Sequence, residues 1–129
     1  MKPVTREWVA KAEEDLLAAV DLGRRRKRPV WDAVCFHCQQ ATEKYLKARL
    51  HEAGLAVPRT HDLESLLNLL LPAEPLWSAF RPALQDLSDY AVDFRYPGHR
   101  ATKAKARRAL ADCKAVRREV RHSLGLSAA

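Results

Sequence analysis

Gln39, Gln40, Glu43, Lys44 and Lys47 crowd the stretch from Phe36 to Leu50. Their types suit nucleotide recognition. Lysines hold phosphates, and glutamine or glutamate side chains can pair with a base or a ribose. Around them, Val34, Cys38, Ala41, Tyr45 and Ala48 recur at spacings of three and four, the mark of a helix packed on one face. Cys35, Thr42, Leu46 and Leu50 widen that face. Gln39 and Lys44 therefore fall at the margin of a buried stripe. A polar group buried there costs roughly 1–3 kcal/mol unless it finds a partner. Two arrangements satisfy this. The set is a ligand face or polar dimer interface, or it is a solvated ridge. The ridge would carry intrahelical pairs Glu43–Lys47 and Gln40–Lys44, each worth about 0.3 kcal/mol.

Other chemistry is sparser. Cys35, His37 and Cys38 suggest a zinc site, but zinc needs four ligands, or three and a water, and no second pair exists in the sequence. Small buried hydrophobes account better for Cys35 and Cys38, so no metal and no cofactor is expected. His61, in Thr60-His61-Asp62-Leu63, precedes a helix and either ties the loop to the fold or meets a ligand. The run Arg24 to Arg28 and the basic flank of the last helix can follow a nucleic-acid backbone or remain solvated. Trp31 is the only aromatic residue near that run. Glycine-rich phosphate loops and a Gly-x-Ser-x-Gly elbow are absent from the sequence. Glu13, Glu14 and Asp15 lie on different faces of one helix, with Glu14 and Asp15 solvated or paired with the basic run.

These residues need a scaffold. A chain of 129 residues suits one domain over 1–129 and buries a core without staples. The composition is 47% hydrophobic and 30% charged, with four glycines, which favours helix and a well-solvated surface. The net charge of +7 attracts anions without choosing among them. No segment reaches the ~20 apolar residues of a membrane span. A cytoplasmic location follows, with the three cysteines as reduced thiols.

The periodicity predicts helix one from a Thr5 cap to Gly23, with Trp8, Ala12, Leu16, Ala19 and Val20 buried. Helix two runs from Trp31 or Asp32 to Ala53, stopped by Gly54. Helix three spans Asp62 to Leu71, capped by Thr60 or Asp62. A fourth helix covers Leu76 to Phe94, with Leu76, Phe80, Leu84, Leu87 and Ala91 in its buried stripe and a kink or restart at Pro82. The last begins after a Thr102 cap and ends at Gly125, with Ala106, Leu110, Cys113, Val116, Val120 and Leu124 buried. Four long helices and one short one predict an all-α, up-and-down bundle.

The stretch Gln40-Ala41-x-Glu43-Lys44-x-x-Lys47-Ala48 resembles the signature helix of HEPN-domain proteins, the helical bundles named for higher eukaryotes and prokaryotes nucleotide-binding. Trp8 with Ala12 to Leu16 resembles the family's first helix. Arg59 to Leu63 resembles the loop before its third, and Arg95-Tyr96-Pro97 the entry to its last. The likeness covers nearly the whole chain. It implies a stand-alone HEPN protein that forms a homodimer. It also implies a minimal nucleotidyltransferase partner, in a module of the toxin–antitoxin kind. By this resemblance Gln39, Gln40, Glu43, Lys44, Lys47, His61, Arg95 and Tyr96 are candidates for nucleotide or RNA binding.

Active HEPN proteins are metal-independent ribonucleases in which four to six residues stand between an arginine and a following histidine. The resemblance thus offers Arg95 and His99 as an alternative, catalytic pair. Arginine would hold the scissile phosphate and histidine would move protons, with Tyr96 or Lys44 assisting across the dimer. Their spacing is one residue short of the family pattern. Arg117 and His122 fit the spacing but close the last helix instead of opening it. Without catalysis, Arg95 would anchor its loop to a helix carboxylate and His99 would be solvated. A non-catalytic helical scaffold is the remaining alternative.

Overall fold

A computed structural model of the protein describes residues 1–128, in which five helices and a 3-10 turn share one core. Pro3 opens the first helix, α1 (Pro3–Gly23), two residues earlier than predicted. Proline suits that position because its fixed φ is already helical and its missing N–H would have had no partner. Thr5 is therefore inside the helix and is no cap. It is fully buried and donates its hydroxyl to Glu52 Oε1 at 3.0 Å. Val9 joins Ala12, Leu16 and Ala19 in the buried stripe, while Trp8 and Val20 are only half-buried.

The basic loop separates α1 from α2 (Trp31–Glu52). Twelve of the 22 residues of α2 are buried, because α1, α3, α4 and α5 all pack against it. Gly54, at φ +74°, turns the chain away in a left-handed conformation that residues with a Cβ rarely adopt. Cys35, Cys38 and Cys113 are buried free thiols in the core. Burial pushes the Cys35 thiol up to about 11 and keeps it neutral.

The short α3 (Leu63–Leu70) buries four leucines against α2 and α4. Asp62 stands at its cap position, but its carboxylate accepts from the Ser65 hydroxyl at 2.6 Å and not from a backbone N–H. The predicted break near Pro82 is a restart. A 3-10 turn, Pro75–Phe80, leads into α4 (Arg81–Asp93), and Pro82 lies in its first turn. The turn shifts the register, so Trp77 is buried while Leu76, expected in the stripe, is 87% exposed. The last helix, α5 (Lys103–Ser123), starts as predicted, with the Thr102 hydroxyl accepting from Lys105 N–H at 3.1 Å. Its buried face is Ala106, Ala109, Cys113, Val116 and Val120, with Leu110 and Leu124 half-buried. No helix among the described residues is long and apolar enough to cross a membrane.

The start of α1 is clasped to the end of α2. The Lys2 backbone N–H and the Thr5 hydroxyl both donate to Glu52 Oε1 at 3.0 Å. The Lys2 N–H, foremost, holds the Glu52 carboxyl below its ordinary range. A carboxyl with a folded pKa below its unfolded one stabilises fully above the unfolded value. That contribution is lost as pH falls through the folded value. Protection factors for hydrogen exchange in the first turn of α1 should therefore fall as pH drops from about 5 to about 3. Glu52→Ala should make protection low throughout. NMR protection factors that stay flat with pH would refute the clasp.

Candidate functional site

The N-terminal half of α2 carries Phe36, Gln39 and Gln40 on one face, three and four residues apart. Opposite them stand His61, in the loop before α3, Asp89 of α4, and Arg95 just past the end of α4. Together they line a cleft of about 440 Å³. Gln39, Gln40, His61 and Arg95 were candidates by residue type, and the fold brings all four here. Lys44, Lys47, Tyr96 and His99 are not among the residues lining it.

Beneath the cleft lies a buried polar network. Glu43 is 4% exposed and Lys47 6% exposed. Lys47 Nζ donates to Glu43 Oε2 at 3.1 Å, as the predicted intrahelical pair. The other carboxylate oxygen, Oε1, lies 2.9 Å from His61 Nδ1 and also accepts from Gln39 Nε2 at 3.4 Å. Gln39 Nε2 donates to the His61 backbone carbonyl at 3.0 Å, and Gln40 Nε2 donates to Gln39 Oε1 at 2.7 Å. The solvated ridge is thus corrected. Gln39, Glu43 and Lys47 are buried because helices pack on both flanks of α2, and they meet that burial by satisfying one another.

Gln40–Lys44, the second predicted pair, does not form. Lys44 Nζ reaches across to Asp15 Oδ2 on α1, and His37 Nδ1 lies 2.9 Å from Asp15 Oδ1. Asp15 therefore pairs with α2 and not with the basic run. Glu13 likewise pairs with Arg117 at 3.0 Å and Arg121 at 3.1 Å. That commits Arg117 to a structural contact between α1 and α5.

Each cleft residue presents a definite chemistry. A carboxylate only accepts, so the Nδ1 facing Glu43 carries the hydrogen, and a neutral His61 ring turns its Nε2 lone pair outward. The imidazole is 81% exposed, free to meet a ligand. Gln40 keeps its carbonyl oxygen free of any partner among the described residues. Arg95 has no carboxylate partner among them either, so it does not anchor its loop by an ion pair. Its guanidinium lies 5.8 Å from the centre of the Phe36 ring. Asp62 and Asp89 make the α3–α4 wall negative. Arg95 can therefore hold an anion, while Gln40 and the aspartates can accept hydrogen bonds. His99 and Tyr96 are exposed in the loop leading to α5, where His99 N–H donates to the Tyr96 carbonyl at 3.3 Å. Of the residues that sequence reasoning missed, Phe36 was readable from its spacing to Gln39 and Gln40. Asp89 was not, because only the docking of α4 against α2 brings it here.

The HEPN domain family model matches residues 5–123 of the chain. Among solved structures, the crystal structure of TT1696 from Thermus thermophilus is similar, with a TM-score of 0.75 and 27% sequence identity. The likeness covers 87% of this chain and 91% of that one. Among curated proteins, none matches the chain.

Proposed function

Because the chain belongs to the HEPN-domain family, we propose that it binds a nucleotide or a short RNA segment in the cleft between α2 and α4. We further propose that it does so as a cytoplasmic homodimer, with a minimal nucleotidyltransferase partner in a toxin–antitoxin-type module. The observation that carries the binding reading is Arg95, a cation with no ion-pair partner among the described residues, in one cleft with Gln40 and a carboxylate-oriented His61. Arginine supplies the fork that phosphate oxygens accept. Gln40 and His61 supply an acceptor and a proton-responsive edge for the base or sugar. The partner and the dimer rest on kinship.

Calorimetric titration with mononucleotides and a short RNA tests the reading. Saturable heat with one site per protomer is the expected result. Copurification from the native host, with proteins identified by mass, should recover the nucleotidyltransferase. A folded protein that binds neither nucleotide nor partner would overturn the proposal.

One observation favours a ribonuclease as the second reading: Glu43 holds His61 in the cleft that Arg95 lines. A histidine held this way can accept and return a proton while arginine holds the phosphate. Purified protein incubated with RNA and EDTA separates the candidates. Cleavage lost in Arg95→Ala and His61→Ala selects this pair. Cleavage lost in Arg95→Ala and His99→Ala selects the motif pair. No cleavage leaves binding alone.

A further inference from the structure

The 440 Å³ cleft does not end at Arg95. It shares Phe36 and Arg95 with a shallower recess of about 220 Å³, which Tyr90 and Phe94 also line. That recess shares Asp32 and Ala33 with a third of about 490 Å³, bounded by Trp31 and Arg100. The third shares Pro29 and Trp31 with a fourth of about 370 Å³ between the α1–α2 loop and the first turns of α5. Arg24, Arg25, Arg26, Lys103 and Arg107 line this last recess. All five are exposed, and none has a carboxylate partner among the described residues. Lys44, Lys47, Arg49, Arg81, Arg117 and Arg121, by contrast, each stand in an ion pair.

From this juxtaposition we infer that the basic recess is a second phosphate-binding subsite. A single-stranded RNA reaches it along α2 from the candidate cleft. This rests on the nucleotide-binding reading of that cleft and names the form of the ligand.

Two features select a single strand. First, the recesses run beside α2 from Gln40 to Trp31, about 14 Å at the helical rise. A nucleoside monophosphate with its base at Gln40 does not span that distance, whereas an oligonucleotide does. Second, Phe36, Tyr90, Phe94 and Trp31 stand between the two cationic ends. Aromatic faces interleaved with cations stack unpaired bases, and a duplex offers none. From sequence only Trp31 lay near the basic run. The packing of α4 on α2 and α5 supplies Tyr90 and Phe94. Between the cleft and the basic recess the acidic lining residue is Asp32, whose carboxylate accepts from Ala101 N–H at 2.6 Å.

Fluorescence anisotropy with uridylates from mono to octamer tests the inference. Affinity should rise about tenfold or more from the mononucleotide to the tetramer, with a steeper salt dependence. Arg25→Ala with Arg107→Ala should abolish that rise, flatten the salt slope by about one, and leave mononucleotide binding unchanged. Lys114→Ala with Arg118→Ala removes the same charge from an exposed stretch of α5 that lines none of the four recesses, and should keep the rise. Three results overturn the subsite while the cleft reading stands. They are oligomers no tighter than the mononucleotide, equal losses in both double variants, and equal binding of a matching duplex. Binding of neither mononucleotide nor oligomer instead removes the cleft reading itself.

Discussion

Replacing Glu43 with alanine is expected to destabilise the protein by about 3–5 kcal/mol, the usual loss when one member of a buried ion pair is removed. For a chain of this size that lowers the melting temperature by about 10–20 °C. Among the described residues Glu43 is the sole ion-pair partner of Lys47, which is 6% exposed. Without it an ammonium is left in the interior with no counter-charge. Gln39 loses an acceptor, and His61 loses the group that orients it. Glu43→Gln should cost nearly as much, because it keeps the volume and still strands the charge. Pairing it with Lys47→Met should recover most of the loss, since a buried ion pair and a well-packed apolar pair are close in free energy. Differential scanning calorimetry on the four proteins decides the matter. A single variant that melts within about 2 °C of the parent would show that the network contributes little.

Arg95→Ala is the opposite kind of change. It is expected to weaken nucleotide binding about ten- to a hundredfold, the usual loss of a hydrogen bond to a charged group. The melting temperature should scarcely move. Arg95 is exposed, and in the free protein its side chain only lies over Phe36. Surface changes of that kind stay within about 0.5 kcal/mol. Arg95→Lys should restore part of the affinity, because a lysine keeps the charge and loses the fork. Equal affinity in Arg95→Ala would remove the cleft as the binding site. On these expectations the two changes separate stability from recognition, Glu43→Ala lowering the first and Arg95→Ala the second.

The helices were legible because alanine, leucine and arginine dominate and the apolar spacing is regular. Thr102 and the Pro82 restart were found for local reasons, which a sequence displays directly. Leu76 was misplaced because a 3-10 turn advances by a different angle per residue than an α-helix does. Lys44 was misassigned because its partner, Asp15, lies on another helix. Nothing in the spacing along α2 distinguishes that ion pair from an intrahelical one. Gln39, Gln40, His61 and Arg95 were each legible by type. Their convergence depends on α3 and α4 docking beside α2, which is a tertiary fact.

Glu43 and Lys47 sit inside the signature stretch that made the family recognisable, and Gln39 directly precedes it, yet their hydrogen bonds are to one another, to Gln40 and to the His61 loop. That stretch is a lock. A descendant could abandon its ligand and still keep these letters, since altering them costs the bundle stability whatever the cleft binds. Kinship detected through such a helix therefore certifies shared architecture. Shared chemistry has to be sought in the exposed side chains that the lock leaves free to drift.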